Sequence, residues 1–403
     1  MFSKLKNLSF GPATLVAAAF IGPGTVVTAS LAGANFGYAL LWALVFSVIA
    51  TMILQEMAAR LGVVTQQGLG EAIRSQLQNP FIKWFSIALV LGAVVIGNSV
   101  YQGGNLSGAS LGMAGVIGEH AAWLPLVLGM LAAGLLWNGS YRLLERVLIG
   151  LVLIMSLAFV ATFLIAQPDW SAFFRGMLVP SLPVGSLLTV VALIGTTVVP
   201  YNLFLHAASS AQKWQSAEQL PQARGDLLVS IPLGGLISIA IVSTAAAAFF
   251  GQAVSLEGAA DLSESLRPLA GDGATWLMAI GLFAAGLSSS LTAPLASAYA
   301  LSGILGYGGD LRSLPFRLTW LAIIGIGVCI ASLGLKPVSV IWFAQVANGL
   351  LLPIMALFLV WACNHKMMGN YRNSLKQNLL AAVVVLVAIG LGLRSIGAAL
   401  QWW

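Results

Sequence analysis

Charged residues are scarce in this 403-residue sequence: Asp, Glu, Lys and Arg make up 7% of it, against 59% hydrophobic residues. A soluble domain carries about 25% charged residues, so the composition excludes a soluble globular or disordered protein. The mean hydropathy of +0.95 indicates a polytopic membrane protein. The net charge of +6 comes from basic residues scattered singly, which excludes a nucleic-acid-binding protein.

Cysteine is also scarce. The two cysteines, Cys329 and Cys363, fall in different apolar segments, so we expect no disulfide, and no Cys/His spacing typical of a metal site is present. The sequence contains no Ser/His/Asp set, no paired carboxylates in mid-membrane and no phosphate-binding loop. We therefore expect no enzymatic activity and no cofactor.

What the sequence does have is long apolar segments. A membrane-spanning helix needs roughly 20 apolar residues, and the runs predict eleven spans within one transmembrane domain, at residues 11–34, 39–59, 84–107, 121–138, 147–167, 185–208, 228–250, 274–303, 317–334, 339–362 and 377–401. With the N-terminus in the cytoplasm, fourteen of the eighteen Lys and Arg residues fall on the cytoplasmic side. This bias predicts an integral protein of the plasma (inner) membrane with its C-terminus outside.

Two of the predicted spans are interrupted at their centres. Residues 19–27 read AFIGPGTVV, and residues 192–200 echo them with ALIGTTVVP. Proline removes a backbone donor and glycine weakens a helix, so both sequences predict broken helices. Each break begins a block of five spans, 1–167 and 185–362, and 377–401 is an additional eleventh helix. Because five is odd, the second block enters the membrane from the opposite side, which predicts inverted repeats and a binding site at the two breaks.

Polar side chains cluster on two other spans. Asn98, Tyr101, Gln102 and Asn105 share one face of the third span, which indicates either a cavity or interhelical hydrogen bonds. In the eighth span, Ser289, Ser290 and Thr292 fit either close helix packing or a weak site for a monovalent cation made with carbonyls of the first break.

Ionisable side chains are scarce in the predicted spans, and the candidates are Glu56, His206 and Arg317. Such residues are candidates for proton transfer or gating. All three fall near a predicted interface, where they could equally be solvated, and a single histidine at a helix end is more often simply hydrogen-bonded.

With both breaks in view, the sequence resembles the natural resistance-associated macrophage protein (NRAMP) family of secondary transporters over essentially its whole length. The resemblance rests on residues 32–42 (AGANFGYALLW), 54–65 (LQEMAARLGVVT), 200–206 (PYNLFLH), 289–292 (SSLT) and 344–346 (AQV). It implies an all-α LeuT-type fold with two inverted five-helix repeats, discontinuous helices one and six, and transport by alternating access.

The candidate substrate site departs from this family. Metal-carrying members read Asp-Pro-Gly-Asn in helix one, where this chain has Gly22, Pro23, Gly24 and Thr25. In helix six, Thr196 stands at the family's alanine, Val199 at its methionine and Tyr201 at its first histidine. The acidic pair of helix three aligns with Asn98 and Tyr101. The carboxylates and the soft sulfur that select transition metals are thus missing.

Two transport hypotheses follow. In the first, a neutral pocket binds a small polar or zwitterionic organic solute, through Gly22, Gly24, Thr25, Asn98, Tyr101, Thr196, Thr197, Val199, Tyr201 and Asn202. In the second, kept by the family resemblance, a divalent metal ion is imported through carbonyls, Asn202 and Gln345, with proton coupling. Gln345 is also a gating candidate. A membrane sensor or scaffold is disfavoured because no soluble output domain is present, and we expect a monomer in the lipid bilayer.

Overall fold

The computed structural model describes residues 11–77, 79–117, 123–138, 141–166, 168–252, 256, 259–264, 267 and 271–399. This part of the chain is almost entirely helical and contains no β-strand. The end of the helical bundle at which α1 begins, predicted to be cytoplasmic, is called the inner end below. The terminal lysines Lys4 and Lys6 and the final tryptophans lie outside the described residues.

The α-helices run in chain order as α1 (Pro12–Phe20), α2 (Pro23–Phe36), α3 (Leu41–Thr65), α4 (Leu69–Gln76), α5 (Pro80–Val90), α6 (Gly97–Ile117), α7 (Leu124–Trp137), α8 (Tyr141–Ala166), α9 (Trp170–Leu178), α10 (Leu187–Thr197), α11 (Tyr201–Lys213), α12 (Leu220–Phe249), α13 (Ala259–Glu264), α14 (Ala274–Leu305), α15 (Leu314–Ser332), α16 (Pro337–Asn364) and α17 (Leu375–Ala399). A π-helical segment, Leu91–Ile96, joins α5 to α6.

Seven helical segments of the described chain are long and apolar enough to cross a membrane, at Leu41–Thr65, Leu187–Lys213, Ala217–Phe249, Gly271–Leu305, Leu314–Ser332, Pro337–Asn364 and Leu375–Ser395. The other four predicted spans coincide with the pair α1–α2, with α5–α6, with α7 and with α8. Each predicted span therefore has a helical counterpart, although the ends differ by several residues.

Both predicted breaks are present. α1 ends before Ile21 and Gly22, whose backbones leave the helical region, and α2 restarts at Pro23. The second break lies at Val198, which has φ −95° and ψ 70°, and the chain turns helical again around Pro200. Proline suits both restarts, because a helix needs no donor at its first position. The sequence thus contains the local cause of both interruptions.

Small residues let the central helices approach closely. Some glycines face a neighbouring helix with no room for a side chain. Gly286 on α14 contacts Ala109 on α6, and Gly33 on α2 contacts the carbonyl of Val242 on α12. In a membrane such contacts are a main source of helix association. They hold α2, α6, α12 and α14 tightly around the breaks.

Three features of the fold were not predicted. The third span begins at Pro80 and contains the π-helical segment, and α9 is an additional short helix after α8. A π-turn interrupts the hydrogen-bond register without changing the apolar pattern, so composition does not reveal it. The short helix α4 is capped by Glu71, which accepts from the backbone N–H of Gly68 at 3.0 Å.

Candidate functional site

Side chains from other helices lie directly against the backbone of the first break. A Cβ added at Gly22 would overlap Oγ of Ser289 on α14 and would lie 3.6 Å from Oδ1 of Asn105 on α6. A Cβ added at Gly24 would overlap the amide of Gln345 on α16. The break is therefore covered by one hydroxyl and two amides, which occupy the room that glycine leaves at both positions.

Two tyrosines, on the third and sixth predicted spans, contact each other. The rings of Tyr101 on α6 and Tyr201 on α11 are 5.6 Å apart at an interplanar angle of 65°, an edge-to-face contact. Both side chains are 1% exposed. The Tyr101 hydroxyl lies close to the Tyr201 hydroxyl and to the Gln345 side chain, but neither tyrosine hydroxyl has a hydrogen-bond partner in good geometry within the described chain. A buried hydroxyl whose hydrogen bonds are incomplete is costly, which is consistent with an occupant that completes these bonds.

The polar face of the third span divides into two parts. Asn98 donates to Oγ of Ser297 at 2.8 Å and to the carbonyl of Ala293 at 3.3 Å, and Gln102 donates to the carbonyl of Ser290 at 3.2 Å. These residues bind α6 to α14, as the interhelical hypothesis requires. Tyr101 and Asn105, by contrast, reach the breaks. A role for Asn98 in binding substrate remains a prediction.

The threonines near the second break bond to their own helix. Oγ1 of Thr196 and Oγ1 of Thr197 both donate to the carbonyl of Leu193, at 3.0 and 3.1 Å. In the eighth span, Thr292 likewise donates to the carbonyls of Ser288 and Ser289. Each of these three hydroxyls therefore has a hydrogen-bond acceptor within its own helix. Their predicted roles as ligands remain predictions.

The predicted substrate residues are all closed off from the surroundings. Every one of them is buried, including Thr25, Val199 and Asn202. In the conformation described, none of these side chains is exposed to solvent.

Several buried polar atoms without a partner lie on the helices that meet at the breaks, and others lie elsewhere in the described chain. Those near the breaks are the hydroxyls of Tyr101, Tyr201 and Ser290, Nδ2 of Asn105 and of Asn348, both amide atoms of Asn202, and Oε1 of Gln345. Buried polar groups normally have a hydrogen-bond partner in the protein or in water. All of these side chains are uncharged, and the described residues contain no group of three or more His, Cys, Asp or Glu that could hold a metal ion.

Two of the ionisable candidates serve structural contacts. Glu56 pairs with Arg60 at 3.2 Å and with Arg224 at 2.7 Å. Arg317 donates to the carbonyl of Trp137 at 3.1 Å and lies 4.3 Å from the centre of its indole ring. These contacts join helices near one end of the bundle. A proton or gating role for either residue stays a prediction.

The structure corrects the expectation for His206. The sequence predicts a position near an interface where water could reach it, but the side chain is fully buried between helices, because α11 packs against α3 and α14. Nδ1 of His206 lies 2.9 Å from Oε1 of Gln55 on α3, so the ring is hydrogen-bonded, as expected of a single histidine, although Nε2 lacks a partner.

Asp226 was not among the predicted residues. Its carboxylate accepts from the backbone N–H groups of Gly11 at 3.1 Å and Ala13 at 2.9 Å, which begin α1, and from Ser230 at 3.2 Å. A carboxylate at a helix N-terminus satisfies donors that otherwise have no partner. The residue was overlooked because span seven was predicted to start at residue 228, whereas α12 begins at Leu220. An acidic residue two positions before an apolar run could have revealed it.

Comparison with known proteins matches this arrangement to one family. A family profile described as "Natural resistance-associated macrophage protein-like" matches residues 13–398. The divalent metal cation transporter MntH of Yersinia pestis (strain Pestoides F) is 28% identical over 405 residues, covering 96% of this chain and 94% of that protein. MntH of Yersinia pseudotuberculosis serotype O:1b shows the same identity and coverage.

Solved structures share the fold. The Eremococcus coleocola manganese transporter in complex with an aromatic bis-isothiourea substituted compound superposes with a TM-score of 0.77 at 23% identity, covering 99% of this chain and 88% of that one. Mhp1, a nucleobase-cation-symport-1 family transporter, gives 0.55 at 15% identity, covering 97% and 93%. The chain is thus an integral membrane protein with the LeuT-type fold, as the sequence predicted.

Proposed function

Because the chain belongs to the natural resistance-associated macrophage protein-like family, we propose that it is a secondary transporter whose substrate is a small polar or zwitterionic organic solute. Transport would proceed by alternating access around the two breaks. The predicted orientation, with the N-terminus in the cytoplasm, and the division into two five-helix repeats are part of this proposal.

The observation that carries the proposal is the set of unpartnered, uncharged polar atoms at the breaks. Tyr101, Tyr201, Asn202 and Gln345 offer both donors and acceptors in a buried setting. Such groups discriminate strongly in favour of a ligand that satisfies them, because an unmatched ligand leaves them buried and unpaired. A polar organic molecule with several hydrogen-bonding groups meets that requirement.

The broken helices supply the remaining chemistry. Helix N-termini at Pro23 and Pro200 present backbone N–H groups of their first turns, which suit a carboxylate. The C-termini of α1 and α10 present carbonyls, which suit an ammonium group or a monovalent cation. A zwitterion could therefore be bound without any ionised side chain.

A divalent metal ion is the second candidate, and the names of the curated relatives favour it. Asn202 and Oε1 of Gln345 would then act as oxygen ligands beside backbone carbonyls. Against this, a doubly charged ion held only by neutral oxygens must offset a large hydration energy. The chemistry of the side chains therefore leads us to place the organic solute first.

A thermal-shift screen of the purified protein tests the proposal, since a ligand that binds only the native state raises the apparent stability. Manganese, cadmium, amino acids and small osmolytes are screened with and without sodium. We expect an organic solute to stabilise the wild type, Tyr201→Phe to weaken that shift, and Tyr371→Phe, which alters a tyrosine that is 41% exposed, to preserve it. Strong stabilisation by manganese, with none by organic solutes, would establish the metal reading instead.

A further inference from the structure

A groove between α3, α12 and α17 lies apart from the breaks, at the inner end of the bundle. It has a volume of about 340 Å³, and its wall is mostly apolar, formed by Met52, Ile53, Leu227, Leu228 and Leu380. Leu228 is 59% exposed and Leu380 50% exposed, so the groove opens onto the outer surface of the bundle. In a membrane protein that surface faces lipid tails.

One end of this groove is charged. Arg224 and Glu56 line it together with Gln377. Nε and Nη2 of Arg224 both donate to Glu56, at 3.0 and 2.7 Å, which leaves Nη1 to meet a second anion. The Arg224 side chain is 46% exposed, so that anion has access.

The charge around this end is positive overall. Glu56 is the one carboxylate among the residues lining the groove, and it is shared by Arg224 and the buried Arg60. Arg60 also donates to the carbonyl of Tyr371 and to Oδ1 of Asn373 at 2.7 Å, which places residues 365–376 at the same end. That segment contains Lys366, Arg372 and Lys376 and no acidic residue.

We propose that this groove binds an anionic phospholipid of the surrounding membrane, with its phosphate at Arg224 and an acyl chain along Leu228 and Leu380. The two halves of the groove match the two halves of that ligand: an arginine forms charge-assisted hydrogen bonds with phosphate, and apolar walls bury a hydrocarbon chain. Basic pockets between membrane helices on the cytoplasmic side favour anionic headgroups. A bound lipid would bridge α3, α12 and α17.

The test compares lipids that differ in one half only. Purified protein in detergent micelles receives phosphatidylglycerol, phosphatidylcholine with the same acyl chains, or glycerol phosphate without chains, and bound lipid is counted by native mass spectrometry. We expect phosphatidylglycerol to be retained in preference to the other two. Equal retention of both lipids, or binding of glycerol phosphate as tight as that of the lipid, would overturn the proposal.

Matched variants separate the groove from general surface effects. Arg224→Ala should weaken phosphatidylglycerol binding about tenfold, the loss of one charge-assisted bond, whereas Arg312→Ala, at an exposed arginine elsewhere, should not. Leu380→Gln should weaken binding, and Leu379→Gln, at its 65% exposed neighbour outside the groove, should not. The leucine pair tests the proposal even if Arg224→Ala fails to fold. Unchanged lipid retention in folded Arg224→Ala or Leu380→Gln protein contradicts it.

Discussion

The polar groups at the centre of the molecule are neutral, whereas those at its inner end include charged side chains that pair with each other. Around the two breaks, the polar side chains are neutral and several of their atoms lack partners, as Tyr101 and Asn202 show. At the inner end, Asp226 and Glu56 are charged, and each is held by several donors. These two carboxylates thus form completed structural contacts, whereas the polar atoms around the breaks still lack partners.

This difference separates stability from recognition. A satisfied buried carboxylate is expensive to disturb, because its donors lose their partner. Removing an unpartnered buried hydroxyl changes the free energy of unfolding little, but it lowers the affinity for a ligand that forms a hydrogen bond with that hydroxyl. Substitutions at the inner end should therefore reduce folding stability, and substitutions at the centre should reduce binding.

The largest effect is expected for Asp226→Ala. Removing a carboxylate that is 5% exposed leaves the N–H groups that begin α1 without a partner, and we expect a loss of about 3 kcal/mol of stability. Thermal unfolding of the purified protein measures it. Asp310→Ala, which removes an exposed carboxylate bound to the N–H of Arg312, is the control and should melt close to the wild type. Equal melting temperatures for the two variants would mean that Asp226 does not hold α1.

Gly22→Ala tests the contact that covers the first break. The added Cβ overlaps Oγ of Ser289, so we expect a destabilisation of about 2 kcal/mol. Combining it with Ser289→Gly should recover most of that loss, and a double-mutant cycle of unfolding free energies measures the coupling. Simple additivity of the two changes would show that the clash is relieved elsewhere.

Tyr101→Phe and Tyr201→Phe should show the reverse pattern. Each removes a hydroxyl without a normal hydrogen bond, so stability should change by less than about 0.5 kcal/mol while substrate affinity falls about tenfold. Equilibrium binding and thermal melting of the same preparations measure both. A large loss of stability with unchanged affinity would make the tyrosine pair a structural contact.

Helix α6, which forms part of the third predicted span, also bears on proton coupling. Asn98 and Tyr101 stand where the resemblance implies acidic residues, so Asn98→Ala and Tyr101→Phe should alter affinity more than pH dependence. Transport rates measured from about pH 5.5 to about pH 8 decide this. A wild-type rate that climbs steeply with an inward proton gradient, and loses that slope in either variant, contradicts the prediction.

The smallest effect is expected at the candidate site for a monovalent cation, formed by Ser289, Ser290 and Thr292 and tested here with sodium. Ser289→Ala and Thr292→Ala should each lower apparent sodium affinity while the fold is kept, because each removes a hydroxyl that would act as an oxygen ligand. Substrate binding measured across a sodium series with choline replacement gives both values. Identical wild-type binding in sodium and in choline buffers would remove the site altogether.

Much of the fold was predictable because its signals are local. Apolar length predicts spans, and the Gly-Pro-Gly at 22–24 and Pro200 contain the cause of both breaks. The π-helical segment Leu91–Ile96 was not predictable, since its apolar residues suit either register.

The candidate site was predictable only in part. Residue types identified a neutral, polar centre, and Tyr101 and Tyr201 do meet there. That Asn98 turns to α14 while Asn105 reaches Gly22 depends on helix rotation, which a shared face in sequence cannot resolve. The position of Asp226 just before an apolar run could single out the residue, but its bond to the start of α1 joins residues 213 positions apart, and the local sequence does not indicate that partner.

The contact between Gly22 and Ser289 also constrains how this chain can change over generations. A larger side chain at position 22, such as the carboxylate that the family resemblance implies there, meets Oγ of Ser289, so that hydroxyl must move or be removed. Replacement of Ser289 by glycine makes the room, although by itself it opens a gap and offers no new ligand. The two positions are therefore coupled, and a change at one alters which residues the other accepts.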